Sequence, residues 1–419
     1  MTDHGSKVGQ VVVIGAGIVG VSAGIWLRRS GIPVTLVDHA APGQAATYGN
    51  AGVLAACAII PVTVPGLIAK GPRMLFDPDF PLFLRWSYLP RLGSWLLRYL
   101  SHANDPDTRR IAGGLAPLVV DSVAQHHALA GDGPAAALLR HTDYSFAYAD
   151  RRAFEADAYA WQLRTEAGFR PVIREGRELR EYEPALGPEI GCLVTLGEHG
   201  FVRDPGTYVT RLASAFTGMG GVLVQASAVD FDLSGGRIRA VETSAGRLSC
   251  NHCVVASGAW SKPLMRRLGL QVPLETERGY HIQFENAAHI PKTPIHVASG
   301  KFVATPMEGG LRCAGIVEFG GLDAGPSTNP LRLLRRQVRR AFPDLQATGE
   351  REWLGHRPAP ADSLPLIGEI RNTGVYSAFG HHHIGLTGGP KTGRLIAQLI
   401  TENAPDIDMQ PYTPNRFAR

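Results

Sequence analysis

The sequence predicts an α/β protein with two domains. Its 419 residues exceed the number that a single hydrophobic core usually serves. A β-α-β pattern begins near the N-terminus, and segments with strand and helix patterns alternate along the remaining chain. Hydrophobic residues form 44% of the chain and charged residues 19%, which indicates a globular protein that buries a sizeable core.

The N-terminal pattern predicts a Rossmann-like dinucleotide site. "QVVVIG" is typical of a buried strand, "GIVGVSAGIWLRRSG" of a helix that ends at Gly31, and "PVTLVDH" of a second strand. Gly15, Gly17 and Gly20 form the G-x-G-x-x-G spacing, and Asp38 ends the second strand. We expect the glycines to allow a tight turn, approach to a pyrophosphate and close helix packing, while Asp38 accepts hydrogen bonds from a ribose.

The rest of the chain predicts a mixed architecture, because helical and strand-rich segments follow one another without internal repeats. In order, these are a helix capped by Asp204, strands separated by "SGG" and "SAG" turns, a strand-rich stretch over 272–325, an Arg-rich helix "RLLRRQVRRAF", and a final strand "GVYSAFG". That strand leads into "GHHHIGLTGGPKTG", residues 380–393, and then into a helical pattern.

Charge and cysteine content exclude several classes of protein. The net charge is +5, from 42 basic and 37 acidic residues, and the Arg-rich helix has the spacing of a solvated face, so we predict no nucleic-acid partner. Five cysteines at low density argue against a disulfide framework, and Cys250 with Cys253 is best explained as a pair of structural thiols. We also predict no metal, because consecutive histidines on an extended segment point in alternate directions.

The localisation expected from the sequence is cytoplasmic, either free or peripheral on the inner face of a membrane. Residues 11–27 carry no charge, but this run is at the short limit for a membrane span. The preceding "MTDHGSK" lacks the strongly basic region of a secretory signal. Residues 74–100 are aromatic and interrupted by prolines, which favours core helices of a second domain, with a membrane-touching surface as the alternative.

One extended cofactor explains the two ends of the chain better than any other ligand. Only one dinucleotide fingerprint is present, while the glycine-containing segments 255–260 and 380–393 follow strands far downstream. FAD is long enough to contact all three, with the helix start near Lys391 stabilising negative charge on the reduced ring. An NAD-dependent dehydrogenase would leave the C-terminal segment without a role. We expect non-covalent FAD, because no cysteine lies near that segment.

Five segments carry a resemblance to a known family. "VVVIGAGIVGVSAGIWLRRSG", "YGNAGVL", "ETERGYHI", "GHRPAPADSLPLIG" and "FGHHHIGLTGGPKTG" resemble the FAD-dependent D-amino-acid dehydrogenases, relatives of glycine and sarcosine oxidases. "SGKFVATPMEGGLRCAG" and the tail "PNRF" are similar to the subgroup of glyphosate oxidoreductase and D-hydroxyproline dehydrogenases. The resemblance implies an FAD-binding domain of the glutathione-reductase type in 1–58, 198–262 and 352–419, and a substrate domain with a mixed β-sheet and helices in 59–197 and 263–351.

The resemblance also implies a reaction. A D-amino acid, or a secondary amine acid such as D-proline or hydroxy-D-proline, would lose a hydride from its α-carbon to flavin N5, and the electrons would pass to a quinone or other carrier. An amine oxidase that releases hydrogen peroxide is the alternative within this class. A flavin-bearing scaffold subunit without its own turnover is the alternative of another class.

Three residues are predicted to act on the substrate. Arg357, which precedes a proline in "GHRPAP", has the position of the carboxylate-binding arginine in related amine oxidases, and a guanidinium holds a carboxylate through two hydrogen bonds. The motif implies that His281 lines the pocket above the flavin, with a hydrogen-bonded core histidine as the alternative, while Tyr280 points to the other face. His383, where glycine oxidase has an arginine, would contact the substrate or tune the flavin.

The predicted cofactor-binding residues lie in short segments at both ends and in the middle of the chain. Lys391 has two open interpretations, support of the flavin edge or a solvent-exposed lysine. The predicted cofactor-binding set is Gly15, Ala16, Gly17, Ile18, Val19, Gly20, Asp38, His39, Thr47, Tyr48, Gly49, Asn50, Ala51, Gly52, Val53, Ala228, Val229, Ala256, Ser257, Gly258, Trp260, Gly355, Gly380, His381, His382, Ile384, Gly385, Leu386 and Thr387.

Overall fold

The computed structural model of the protein describes residues 8–77 and 79–418. Residues 1–7 of the predicted nucleotide-binding domain, and Pro78 in the aromatic stretch, lie outside the described residues. The strands are β1 (Val11–Ile14), β2 (Val34–Asp38), β3 (Val53–Leu54), β4 (Leu82–Leu84), β5 (Leu139–Tyr148), β6 (Val172–Glu175), β7 (Cys192–Val202), β8 (Val222–Gln225), β9 (Ala228–Ser234), β10 (Arg237–Thr243), β11 (Gly246–Ser249), β12 (His252–Val255), β13 (Leu274–Glu285), β14 (Ile295–Val297), β15 (Phe302–Met307), β16 (Gly310–Phe319), β17 (Gly349–Pro360), β18 (Leu366–Glu369) and β19 (Val375–Phe379).

Twelve α-helices lie within the described part of the chain, and none of them is long and apolar enough to cross a membrane. They are α1 (Ile18–Arg29), α2 (Leu67–Phe76), α3 (Leu89–Ser101), α4 (Asp105–Val119), α5 (Ser122–Ala130), α6 (Arg151–Glu155), α7 (Ala158–Glu166), α8 (Gly176–Tyr182), α9 (Pro205–Gly218), α10 (Ser261–Arg267), α11 (Thr328–Ala341) and α12 (Gly385–Ile400). Short 3-10 turns at Trp86–Tyr88, Ala136–Leu138, Gly258–Trp260 and near the C-terminus complete the helical elements of the described residues.

The first sheet has six strands in the order β18-β19-β12-β1-β2-β8. Its inner strands are parallel, and β18 pairs antiparallel with β19. All four residues of β1 are buried, as expected for a parallel strand that helices or strands cover on both faces. The sheet therefore joins strands from the first forty residues, through β12, to strands from the last sixty.

The second sheet is larger and mixed, in the order β17-β13-β16-β15-β14-β5-β7-β3, with β4 on β16 and β6 on β7. This confirms the predicted α/β fold with a second, mixed sheet. The pair β13–β17 runs antiparallel over twelve residues and sets Glu277 opposite Arg357. Strands β3 and β17 belong to this sheet although the predicted boundaries put them with the nucleotide-binding domain; the division into two domains stays a prediction.

Helices α1 and α12 pack face to face beneath the first sheet. A Cβ on Gly393 would stand 2.5 Å from the backbone nitrogen of Ala23, so only glycine permits this approach. The helix α12 begins at Gly385, six residues before the expected start at Lys391. Pro390 inside it cannot donate to the carbonyl of Leu386, and the His126 ring bonds that carbonyl instead, Nε2 to oxygen 2.9 Å.

Candidate cofactor and substrate site

A cavity of about 1710 Å³ is lined by strands of both sheets. Its wall includes Gly15, Asp38, the segment 380–387, Arg357 and Arg164. The predicted segments from both ends of the chain thus meet in one cavity. Its predicted lining residues are Gly15, Gly17, Ile18, Val19, Asp38, His39, Thr47, Gly49, Asn50, Ala51, Val53, Ala228, Val229, Ala256, Ser257, Gly258, Trp260, Gly355, Arg357, Gly380, His381, His382, His383, Ile384, Gly385, Leu386 and Thr387.

The glycine turn after β1 has the geometry of a phosphate cradle. Gly15 adopts φ +109°, and a Cβ there would stand 2.5 Å from the carbonyl oxygen of Ala256. A side chain on Gly20 would collide with the Gly15 carbonyl, so this position requires glycine. Contrary to our expectation, neither Gly20 nor Ala16 lines the cavity itself. Gly17, at the N-cap of α1, provides no side-chain cap, so the helix start can bind an anion through its N–H groups.

Two backbone amides hold the carboxylate of Asp38, which lines the cavity. Its Oδ2 accepts a hydrogen bond from the Ala16 amide at 2.7 Å, and its Oδ1 accepts one from Ala40 at 3.1 Å. His39 Nδ1 lies 2.9 Å from Oδ1. A carboxylate has lone pairs beyond these bonds, and the Asp38 side chain is only partly buried, so it can still accept from a ribose hydroxyl.

The segment 47–53 is held against the cavity by the second sheet. Arg312 Nη1 donates to the carbonyl oxygens of Tyr48 at 2.8 Å and Asn50 at 3.0 Å. Tyr48 and Gly52 are turned out of the wall, since the Tyr48 ring packs on Trp353 and the Gly52 amide donates to Asn50 Oδ1. The remaining residues of the segment form one side of the cavity.

His281 does not line the cavity, in contrast to our expectation. Its Nδ1 donates to the Gly49 carbonyl at 3.0 Å, and its ring stacks on Trp353 with centroids 5.2 Å apart. Burial, and then the charge of Arg312, lowers the pKa of His281 to about 3, so the ring is neutral. His281 lies on the same face of β13 as Glu277 and Gly279, but Trp353 packs against both its ring and Gly49. His281 is therefore a hydrogen-bonded core histidine, the alternative stated above.

The three consecutive histidines have three different environments. His381 Nε2 is 2.9 Å from Thr392 Oγ1, and burial lowers its pKa to about 4. His382, at φ +49°, places Nδ1 3.6 Å from Glu277 Oε2. His383 is exposed to the cavity; burial inside the molecule, followed by the charge of His382, lowers its pKa to about 4.

Arg357 is anchored by backbone carbonyls at the cavity wall. Its Nη1 donates to Ile316 O at 3.0 Å and its Nη2 donates to Gly315 O at 3.3 Å. Burial lowers the pKa of the guanidinium, and Glu277 acts against that shift. A guanidinium has more N–H donors than these two bonds use, so Arg357 retains donors for an anion in the cavity.

The sequence analysis missed several side chains of the cavity. Glu277 lies in the quoted segment "ETERGYHI", two positions from Gly279 on the same face of β13, so strand alternation offered a signal for it. Tyr99 is buried, with no hydrogen-bond partner for its hydroxyl among the described residues. Arg164 and His296 come from α7 and β14, where the sequence carries no motif. Lys391 is neither at the cavity nor in solvent, because its Nζ pairs with Asp121 Oδ2 at 2.9 Å.

These residues fit FAD. The cradle at Gly15, the uncapped start of α1 and the Asp38 carboxylate suit an adenosine diphosphate, and the start of α12 with its lining residues Ile384 and Gly385 suits the edge of a flavin. Within residues 8–77 and 79–418, no group of three or more His, Cys, Asp or Glu side chains is placed to hold a metal ion.

The fold and the cavity define a flavin-dependent oxidoreductase. The model of the DAO family, FAD dependent oxidoreductases, matches residues 10–399, and the chain belongs to that family. FAD is therefore its cofactor.

Individual relatives agree with this assignment over nearly the whole chain. A D-amino-acid oxidase of Bradyrhizobium diazoefficiens is 40% identical over 97% of this chain and 99% of its own length. A D-amino acid dehydrogenase of Paramagnetospirillum magneticum is 29% identical over 97% of this chain and 99% of its own. The crystal structure of glycine oxidase from Geobacillus kaustophilus shares the fold, with a TM-score of 0.77 at 20% identity and coverage of 97% and 99% of the two chains.

Proposed function

We propose that this protein oxidises the C–N bond of a D-amino acid, or of a related secondary amine acid, with Arg357 binding the substrate carboxylate. The observation that carries the proposal is the partly buried Arg357 guanidinium, anchored by two carbonyls and open to the cavity. FAD supplies the two-electron acceptor for the α-hydrogen when it is bound. The relatives named D-amino-acid oxidase and D-amino acid dehydrogenase support this substrate class.

The side chains around Arg357 would position the amine. Burial alone would raise the pKa of Glu277, but His382 and then Arg357 hold it below its ordinary value, so Glu277 is ionised and attracts an ammonium group. His383 is neutral at physiological pH and can accept a hydrogen bond from the amine. Orientation by Arg357 and Glu277 would then supply most of the catalytic effect.

The proposal is tested by mixing the purified holoenzyme anaerobically with D-proline, hydroxy-D-proline, D-alanine and their L-enantiomers. We expect the flavin absorbance to bleach with at least one D-amino acid and not with its L-form. Arg357→Ala should retain FAD and lose this reaction. If no amine bleaches the flavin of the parent protein, the chain is not an amine dehydrogenase and the scaffold alternative gains support.

We further propose that the electrons leave to a quinone or another carrier. Helices α2 and α3 give the cavity wall an apolar side, formed by Leu67, Ile68, Met74, Leu96 and Leu100, which suits a quinone ring. The 40% identical relative is named an oxidase, so release of hydrogen peroxide is the second candidate. Reoxidation rates of the reduced enzyme with oxygen and with ubiquinone-1 separate the two.

A peripheral membrane contact would bring the quinone to this side. Ile68 is 58% exposed, Trp86 60% and Leu97 74%, and the exposed Arg91 and Arg98 accompany them on α3. Apolar and basic residues together favour an anionic lipid surface. We expect the protein to sediment with phosphatidylglycerol vesicles and Leu97→Glu to weaken this binding. Val172→Glu, at an exposed site on β6, is the matched control.

A further inference from the structure

A second arginine faces the same cavity without an acceptor. Arg164, near the end of α7, lines the cavity, and its Nε and Nη1 are buried with no hydrogen-bond partner among the described residues. Its guanidinium carbon lies 4.8 Å from the ring centroid of Phe146 and 4.8 Å from that of Trp161. Aromatic faces attract the cation but leave its N–H edge without an acceptor, and an unsatisfied buried donor is costly.

The surroundings of Arg164 are positively charged. Lys301 and His296 also line this part of the cavity, and His296 Nδ1 is likewise buried without a partner among the described residues. The carboxylate of Asp157 faces the same space, but it accepts the hydroxyl of Tyr148 at 2.9 Å and forms no ion pair with Arg164. Arg164 and Lys301 thus supply two cations against one carboxylate, which leaves an excess of positive charge.

This end of the cavity is continuous with the reaction centre. Burial, followed by the charges of Lys301, Arg164 and His383, lowers the pKa of His296 to about 3. The pKa of His383 responds in turn to Arg357. Arg357, His383, His296 and Arg164 all line the same cavity.

We propose that Arg164 binds the side-chain carboxylate of the substrate, so that this enzyme prefers D-amino acids with an acidic side chain. The inference rests on the proposed function, because the α-carboxylate of the same molecule occupies Arg357. The rings of Phe146 and Trp161 pack against the guanidinium of Arg164, which lines the cavity, and its N–H donors suit a carboxylate at the far end of a short side chain.

The first test compares acidic D-amino acids with their neutral counterparts of nearly equal shape. The holoenzyme is reduced anaerobically with D-aspartate, D-glutamate and D-2-aminoadipate, and with D-asparagine and D-glutamine. We expect at least one acid to exceed its amide in kcat/KM by roughly 10- to 100-fold, the usual range for a hydrogen-bonded charge pair. If no acid exceeds its amide by more than about twofold, the inference is wrong, even though the proposed function stands.

The second test changes Arg164 itself. Arg164→Met keeps an apolar stem over Phe146 and Trp161 and removes the charge, so it should abolish the preference for the acid over its amide. Arg164→Lys should restore part of the preference. An acid preference that survives in Arg164→Met assigns the effect to another group and overturns the proposal.

A binding readout separates this inference from the proposed function. Glutarate and butyrate share one carboxylate and differ in the second, and their binding is followed by the shift of the flavin absorbance band. We expect glutarate to bind the parent protein roughly tenfold more tightly than butyrate and to lose this advantage in Arg164→Met. If no amine reduces the flavin but glutarate keeps its advantage, the proposed function fails and the anion site stands; equal binding of the two acids in the parent rejects the site.

Discussion

The guanidinium of Arg357 lies directly against Gly279 on the neighbouring strand, where a Cβ would collide with its Nη2. The absence of a side chain at Gly279 therefore gives Arg357 its position at the cavity wall. This contact links a residue that has no functional group to the carboxylate binding that we propose for Arg357.

Gly279→Ala should displace Arg357 without removing it. We expect KM for the best D-amino acid to rise roughly tenfold or more, because the guanidinium loses its fit to the carboxylate, while the FAD content stays unchanged. Steady-state kinetics and the flavin-to-protein absorbance ratio provide the measurement. Gly113→Ala, at a glycine with no atom within 4 Å of the added methyl, should leave both values as they are.

Removing Arg357 tests the carboxylate contact directly. Arg357→Ala should lower kcat/KM by roughly 100-fold or more, since a charge-assisted bidentate pair is lost. Arg357→Lys should recover only a small part, because an ammonium cannot form the paired bonds. Amines that lack the carboxylate should react equally with all three proteins. If the parent prefers carboxylated over decarboxylated amines no more than Arg357→Ala does, Arg357 does not bind the substrate carboxylate.

His281 and His383 should behave differently when each is replaced by alanine. His281 holds the Gly49 carbonyl, so His281→Ala should raise the FAD dissociation constant several-fold and leave the rate constant of flavin reduction nearly unchanged. His383 lines the cavity, so His383→Ala should slow flavin reduction. Fluorescence titration of the apoprotein with FAD and anaerobic stopped-flow measure the two effects. Slow flavin reduction in the His281→Ala holoenzyme would instead show that His281 acts in the reaction centre.

Mild acid should destabilise the fold. Burial lowers the pKa of His126 to about 4, of His281 to about 3 and of His381 to about 4, whereas an unfolded histidine titrates near pH 6.5. As the pH falls from about 6.5 toward 4, these histidines become protonated in the unfolded chain but stay neutral in the folded chain. Each of the three histidines then lowers the free energy of unfolding by up to about 1.4 kcal/mol per pH unit. Urea midpoints at pH 7.5, 6.5 and 5.0 measure this; constant midpoints would contradict it.

The ion pair of Lys391 and Asp121 should stabilise the junction of α12 with α5. The Lys391 side chain is 7% exposed and that of Asp121 33%, so solvent screens the pair only in part. Lys391→Met should lower the free energy of unfolding by about 1–2 kcal/mol, because the carboxylate loses its partner. A double-mutant cycle with Asp121→Asn measures the coupling. Additive losses would show that the two charges act independently.

The sequence predicted the features that depend on neighbouring residues. Gly15, Gly17 and Asp38 lie within one β-α-β unit, so their spacing sufficed to place them at the cavity. The same is true of the segment 47–53, except that Tyr48 and Gly52 are turned away by contacts with Trp353 and Met307, which no local pattern contains.

Features that depend on contacts between distant strands could not be predicted from the sequence. The position of Arg164 follows from the packing of α7 beside β5 and β14, and no spacing along the chain connects them. Gly385 opens α12 although "GLTGGPK" has poor helix propensity, because close packing on α1 outweighs it. For His281, alternation gave the face of β13 but not how far along that face the cavity reaches.

The strand order of the first sheet has a consequence for biosynthesis. β1 lies between β2 and β12, and β12 in turn pairs with β19, which leads into α12. A nascent polypeptide therefore exposes the apolar edge of its first strand until residues near 255 emerge from the ribosome, and it lacks one wall of the flavin chamber until residue 387 has been added. Coenzyme capture must then be a late event, after translation is nearly finished, and a premature stop even a few dozen codons early would yield a colourless product.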